Sequence, residues 1–499
     1  MATEPTSIAS GDDPTFDPHA FRCSCNRRVG VLRECMREAL PDRDKRVRRA
    51  LQLLAQGLEV FSGPRVTSHG VVYVHRVTGR LTLAGVLRRI ATDSKVALLP
   101  RPVNAAISHR LCLLAGFAAF AALSALARAD DGRGLKRGGD PHDVAISGVS
   151  SGAAMAVQYA VAHSRSIVGV GALAGPPWAC ADGRVSQAIN SCMCGSPPAQ
   201  PRIDTARALA AEGKIDPLDS GRPQSLRRAF VFHSAADATV VPSSGRANRE
   251  FLAAFIGQPP TVDEGNAGDG SDRAGHGIIA PGGTDACRNG AALTYIRRCG
   301  EEDNVRDLFR ALYPDVASDP SQRDGDIPAA EVWQFDQQRL IDQVKGSGSS
   351  VTWDAVLWWP YTTARRRNFD LAATGYLYVP PSCRGADASC RVHVALHGCK
   401  QDARIFALRS GYNNWAERYR AIIVYPAIEP GSNLAGESCT SGAPLWTNYS
   451  VVEPNPNGCW DWWGYLDGFT QKNRYLTKAA PQMQVIELII REVTAPRGP

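Results

Sequence analysis

Five residues, Gly148-Val149-Ser150-Ser151-Gly152, stand between a short β-branched run and an alanine-rich stretch. A serine in a Gly-x-Ser-x-Gly turn between strand and helix projects its hydroxyl outward. The glycines let the two backbones approach, and the helix N-terminus leaves the Ser151 N–H free to meet an oxyanion. The chemistry of such a turn is nucleophilic attack on an acyl carbon. A serine hydroxyl is a weak nucleophile at neutral pH, so a base and an orienting carboxylate must come from elsewhere. Asp237 closes a strand-like run, and His276 lies on the glycine-flanked loop Ala274-Gly275-His276-Gly277, so the three follow in the order Ser, Asp, His. His233 competes as the base, but a place on the strand suits a structural histidine better. A second oxyanion donor is expected after a strand, and Leu396-His397-Gly398-Cys399 offers the N–H of Cys399.

A scaffold must bring positions 150, 237, 276 and 399 together. From Asp140 onward, β-branched runs alternate with alanine-rich stretches, the pattern of a mainly parallel sheet with helices on both faces. Strands are expected at 144–147, 167–173, 229–233, 374–379, 392–396 and 421–425. Helices are expected at 152–163, 205–212, 303–312, 412–419 and 482–493. Residues 257–275, rich in Gly and Asp, read as an exposed loop, and 314–328 as a connector. The expected fold is that of the α/β-hydrolases with one displacement. The His-Gly loop usually precedes the nucleophile, whereas Cys399 follows Ser150 by 249 residues. A sheet needs neighbours in space and no particular starting point, so the order implies a circular permutation. His393 and His397 form no metal pair by spacing, because four residues of strand rise about 13 Å.

The chain has 499 residues, enough for a sizeable core, and 44% hydrophobic with 21% charged residues excludes collagen, wholesale disorder and a polytopic membrane protein. The net charge of +7 is local: residues 1–129 hold 19 basic and 10 acidic residues, leaving 37 and 39 downstream, where all ten tryptophans lie. A basic footprint for phosphate is missing there, which argues against a nucleic-acid partner. Arg110, an apolar run over 111–127 and then Arg128-Ala129-Asp130-Asp131 follow the grammar of a secretory signal, with cleavage expected before Asp130 and a retained signal anchor as the alternative. The domain plan is therefore a signal peptide at 101–129, one catalytic domain at 130–499, and an extension at 1–100. Export signals are read at the extreme N-terminus, so translation is expected to begin internally. No Met lies between Met36 and Met155, which leaves an alternative codon, with Val103 the candidate. Within the extension, 42–55 reads as a basic amphipathic helix and 71–83 as a hairpin. His19, Cys23, Cys25 and Cys35 there lack the second close pair of a zinc site. Ten cysteines lie downstream of Cys112, an even number that fits up to five bridges formed in an oxidising compartment. Short-range pairings are Cys287 with Cys299, Cys383 with Cys390, and Cys439 with Cys459.

Several blocks carry a more specific signal than the serine turn. Residues 148–152, 234–242, 275–287 and 375–379 with Cys383, then Leu396-His397-Gly398-Cys399-Lys400-Gln401, 411–416, and Asn455-Pro456-Asn457-Gly458-Cys459-Trp460-Asp461-Trp462 together resemble the secreted polyhydroxybutyrate depolymerases. The likeness is to the circularly permuted, single-domain type and covers most of 138–495. It implies Ser150 as nucleophile, Asp237 and His276 as its partners, the N–H groups of Ser151 and Cys399 as the oxyanion hole, and Trp462 in the polymer-binding crevice. It calls for no metal or cofactor. The expected substrate is a polyester polymer or oligomer, and the enzyme is expected to be a monomer with no stable membrane partner after signal cleavage, extracellular or periplasmic. Two blocks depart from the family. Gly152-Ala153-Ala154-Met155 lacks the usual aromatic, and Gly175-Pro176-Pro177-Trp178 replaces Gly-Gly-Pro-Tyr, which bears on substrate fit more than on chemistry. Among Trp460, Trp462, Trp463 and Tyr465, core is the simpler role for most. The competing functions are a secreted carboxylesterase of the feruloyl or acetyl-xylan type, and a catalytically inactive surface-binding relative.

Overall fold

Successive residues of the central strands are apolar on both faces, and the strands accordingly lie between two layers of helix. The computed structural model describes residues 135–496 apart from 219–225, 257–258, 264–265, 268–271, 289–293, 317–324, 326, 348–367, 386–387, 432–438, 440–454 and 468–472. The expectations for 1–129, signal and extension alike, fall outside the described residues.

The strands are β1 (Gly139–Val149), β2 (Gly169–Leu173), β3 (Arg228–Phe232), β4 (Thr261–Asp263), β5 (Val332–Asp336), β6 (Thr374–Tyr378), β7 (Cys390–Leu396) and β8 (Ala421–Tyr425). They form a sheet in the order β5-β6-β8-β7-β1-β2-β3-β4. β6 is antiparallel to both its neighbours, and the remaining pairs are parallel. The chain thus enters the sheet at its middle. β7 and β8, late in sequence, flank β1 on one side, and β2, β3 and β4 follow on the other. At the entry, the N–H groups of Arg137 and Gly138 donate to the carbonyls of Val493 and Ala495 at the end of the last helix, at 3.2 and 3.0 Å.

Alternation along the strands divides the core. Val144, Ile146, Val170, Ala172, Val392 and Val394 point to one face, where α1 (Ser151–Ala162), α2 (Gln200–Ala211), α3 (Pro242–Ile256), α5 (Gln337–Gly346) and α8 (Pro481–Thr494) supply their buried residues. Ala145, Phe230, Phe232, Ala395 and Ile423 point to the other, against α4 (Asn304–Leu312), α6 (Ala403–Arg409) and α7 (Asn413–Ala416). Carboxylates fix where the second set begins. Asp303 accepts the N–H groups of Val305 and Arg306, and Asp402 that of Ile405, satisfying donors with no partner inside the helix.

The expected strands all form, within a few residues of their predicted limits. The expected helix at 412–419 is only the turn of α7, because its aromatic residues pack as core. The exposed loop expected at 257–275 is corrected by β4, which pairs with β3 and closes the sheet edge. Sequence reading missed β5, α3, α5 and α6. Among the described residues five disulfides are present: Cys180–Cys192, Cys194–Cys439, Cys287–Cys299, Cys383–Cys390 and Cys399–Cys459. Two of the short pairings stand. The expected Cys439–Cys459 bond does not form, since the fold carries Cys459 to the His-Gly loop and Cys439 to the segment after Cys192.

Candidate active site

Ser150 follows β1 at φ 57° and ψ −120°, a conformation few non-glycine residues adopt. The turn is held by its N–H on the Leu173 carbonyl at 2.9 Å and by close backbone packing. A Cβ on Gly148 would lie 2.4 Å from the Gly152 carbonyl carbon, and one on Gly152 would lie 2.3 Å from the Leu396 oxygen. The Gly-x-Ser-x-Gly spacing is therefore set by contact with both α1 and the end of β7.

The Ser150 Oγ is 2.9 Å from His276 Nε2, and His276 Nδ1 is 2.8 Å from Asp237 Oδ2. A carboxylate only accepts, so Nδ1 carries the proton toward Asp237 and Nε2 is left to accept from the Ser150 hydroxyl. Asp237 Oδ1 accepts the N–H groups of Thr239 and Val240 at 2.9 and 3.0 Å. Burial alone would raise this carboxyl. The neighbouring His276 with its hydrogen bond, His233 and the Val240 N–H outweigh burial and hold it below the usual carboxylate range. His233 is engaged elsewhere: its Nε2 donates to the Val240 carbonyl at 2.7 Å and lies 3.7 Å from Asp237 Oδ2, and burial lowers its pKa. It braces the Asp237 turn, as its strand position suggested.

His276 rides on a loop tied from several sides. Arg297, buried, donates from Nε to the His276 carbonyl at 2.7 Å and from Nη1 to the carbonyls of Ala286 and Arg288. The Cys287–Cys299 bond closes the same segment. Tyr295 stands edge-on to the imidazole, with ring centroids 6.1 Å apart.

Gly398 and Cys399 follow β7, with Gly398 packed directly against Ser150. The Gly398 N–H is engaged by the Gln401 side chain at 2.6 Å. Among the described residues, the N–H groups of Ser151 and Cys399 have no protein acceptor. The Cys399–Cys459 bond and the Lys400 N–H on the Asn457 carbonyl join this loop to the tryptophan segment. There Trp460 is core, its Nε1 donating to the His397 carbonyl at 2.9 Å, and Tyr465 is held by Asn455 and Gln482. Trp462 and Trp463, edge-to-face at 5.4 Å, line a cleft that also holds Ser150, His276 and Cys399. Val185, Ile189 and Met193 form its apolar far wall, on a segment pinned by Cys180–Cys192 and Cys194–Cys439. Sequence reading missed that wall, Tyr295, Arg297 and the working contacts of Gln401. His393 and His397 are engaged separately, His393 by Ser147 and Tyr313, His397 by the Gly398 carbonyl and the Ile428 N–H.

No protein-family model matches the chain. It is similar to poly(3-hydroxybutyrate) depolymerase of Delftia acidovorans, 26% identical over 367 residues, which are 72% of this chain and 61% of that protein. It is 30% identical over 355 residues to polyhydroxybutyrate depolymerase of Talaromyces funiculosus, covering 70% of this chain and 90% of that one. The chain belongs to the polyhydroxybutyrate depolymerase family. Two solved structures of such depolymerases share its α/β-hydrolase fold. The enzyme from Penicillium funiculosum aligns with a TM-score of 0.53, and a serine-to-alanine variant complexed with an R-3-hydroxybutyrate trimer with 0.54. Both are 24% identical, over 72% of this chain and 98% of the other. The strand order and the serine turn after β1 are thus set in the framework of this depolymerase family, although the chain spans only 61% of the Delftia relative's length.

Proposed function

We propose that this protein is a secreted serine esterase that hydrolyses poly(3-hydroxybutyrate) or a related short-chain polyhydroxyalkanoate, polymer or oligomer, by way of an acyl-enzyme. The continuous contact from Ser150 through His276 to Asp237 at the floor of the cleft carries the reading. Ser150 Oγ attacks the ester carbonyl as His276 Nε2 takes its proton. The carbonyl oxygen, now an anion, receives the N–H groups of Ser151 and Cys399. His276 returns the proton to the departing hydroxyl of the polymer, then activates water to release the acid from Ser150. Asp237 keeps the imidazole in one tautomer and offsets its charge.

The Trp462 side of the cleft and the Val185, Ile189 and Met193 wall suit an aliphatic ester chain with few polar groups. That lining favours a polyester over the sugar esters of the carboxylesterase alternative. Five disulfides favour an oxidising compartment, extracellular or periplasmic. No helix among the described residues is long and apolar enough to cross a membrane. The protein acts as a monomer on this reading, since one chain supplies every group the mechanism uses.

The test measures 3-hydroxybutyrate released from amorphous poly(3-hydroxybutyrate) by the protein and by Ser150→Ala. Release that disappears with Ser150 is expected. Ser150-dependent cleavage of a soluble butyrate ester without polymer cleavage would move the assignment to another ester. Failure of a fluorophosphonate to label Ser150 would make the protein an inactive relative.

A further inference from the structure

We infer that Gln401 is a positioning residue that aims the oxyanion-binding amide and locks it to the loop bearing the general base. The inference rests on the serine-esterase reading above. Its side chain is buried, with both ends engaged in opposite senses. Oε1 accepts the Gly398 N–H at 2.6 Å, and Nε2 donates to the Thr294 carbonyl at 2.7 Å. Thr294 lies two residues before the short strand Ile296–Arg298, which pairs with Ile278–Ile279 just after His276. The N–H groups of Thr294 and Tyr295 converge on Asp285 Oδ2, and the Tyr295 carbonyl accepts the Ile278 N–H, two residues beyond the histidine. One planar amide therefore spans the two loops that must stay in register during acyl transfer.

The geometry makes the oxyanion amide sensitive to this contact. A Cβ on Gly398 would lie 3.1 Å from the Ser150 Cβ, so the loop rests on the nucleophile. Lys400, next to Gln401, sits at φ 61°, a left-handed turn that must be held by its surroundings. With the Gly398 N–H turned to Gln401, the amide presented to the cleft is that of Cys399. Only a side chain with one acceptor and one donor at this length completes both bonds. Leucine makes neither, ionised glutamate makes the first alone, and protonated glutamate makes both.

The full chain, Gln401→Leu and Gln401→Glu are compared on 4-nitrophenyl butyrate, which needs the serine chemistry and not the polymer. Gln401→Leu is expected to lower kcat by about 10²-fold, the scale of a lost oxyanion donor, with KM changed by less than about threefold. The ratio of kcat/KM for Gln401→Glu to that of the unaltered protein is expected to rise as pH falls from about 8 to about 5, as the carboxyl regains its proton. Lys400, Asp402, His397 and His276 are common to both proteins, so the pH dependence of the ratio reports the added carboxyl together with its effect on them. In a Ser150→Ala background, R-3-hydroxybutyrate trimer should bind equally with and without Gln401→Leu. A kcat kept within about threefold in Gln401→Leu, a loss confined to KM or trimer affinity, or a ratio flat with pH would each overturn the inference. If Gln401→Leu fails to fold, the pH ratio of the near-isosteric Gln401→Glu decides alone. Absence of Ser150-dependent cleavage by the unaltered protein would instead sink the esterase reading, and absence of polymer cleavage alone would leave Gln401 untouched.

Discussion

Asp237 has both carboxylate oxygens engaged, Oδ1 by two backbone N–H groups and Oδ2 by His276. In Asp237→Asn the amide nitrogen offers a donor where His276 also donates, which favours the wrong tautomer. A kcat about 10⁴-fold lower is expected, checked by stopped-time assay on 4-nitrophenyl butyrate, with circular dichroism unchanged. Because the folded carboxyl is held below its unfolded value, its stabilising share is complete above about pH 4 and disappears as pH falls through the lower folded pKa. At the cleft wall, Trp462→Phe keeps the packing but shortens the apolar face. Product release from polymer is expected to slow by about three- to tenfold while 4-nitrophenyl butyrate turnover stays within about twofold. The structure brings Ser150, His276 and Asp237 into contact, and each stood out in the sequence by its own local context of strand end or glycine-flanked loop. Gln401 and Arg297 did not, since their partners, Thr294 and the His276 carbonyl, become neighbours only through the fold.

At the crossing of β1, α1 and the end of β7 the backbones meet closely. In Gly152→Ala the added methyl meets the Leu396 and His397 carbonyl oxygens, at 2.3 and 2.5 Å, and neither backbone can yield without moving the oxyanion loop. A stability loss of about 3 kcal/mol or more is expected in urea unfolding, with a matching loss of esterase activity. Buried histidines, among them one at the end of α1 and one within β7, contribute to the acid response. Burial drives His163 down to about 4 and His393 to about 3. Below about pH 6.5 the unfolded chain binds protons that these folded histidines refuse, so stability falls with pH, by at most ~1.4 kcal/mol per pH unit for each, until their folded values are reached. The urea midpoint should drop from pH 6.5 toward 4, and less steeply in His163→Gln. The central strands were easy to read from sequence because both faces are apolar. β5, with Trp333 and Gln334 partly exposed at a sheet edge, and the amphipathic α3 and α5 gave weaker patterns.

Across the whole molecule, the disulfides differ most in the length of chain they close. Cys194–Cys439 joins residues 245 apart and Cys383–Cys390 residues 7 apart. The chain-entropy relation gives about 5.5 kcal/mol for the first and about 2.4 kcal/mol for the second. Calorimetry of the paired Cys→Ser variants should therefore show the larger fall in Tm for 194 with 439. Spacing pointed to Cys287–Cys299 and Cys383–Cys390, whereas the long pairings depend on topology that composition does not carry. The unusual order of motifs, by contrast, was visible at once, because a displaced His-Gly loop has few geometrical explanations. The entry of the chain at the middle of the sheet also has a consequence in time. β1 and its serine turn are made early, but β7 begins 241 residues after β1 ends, a delay of about 12–48 s at a ribosome's pace of roughly 5–20 residues per second. Throughout that interval the serine has neither the Cys399 amide nor the carbonyl wall of β7. On the proposed chemistry, the unfinished chain is inert by its order of manufacture, because the serine turn is made long before the loop that completes the site.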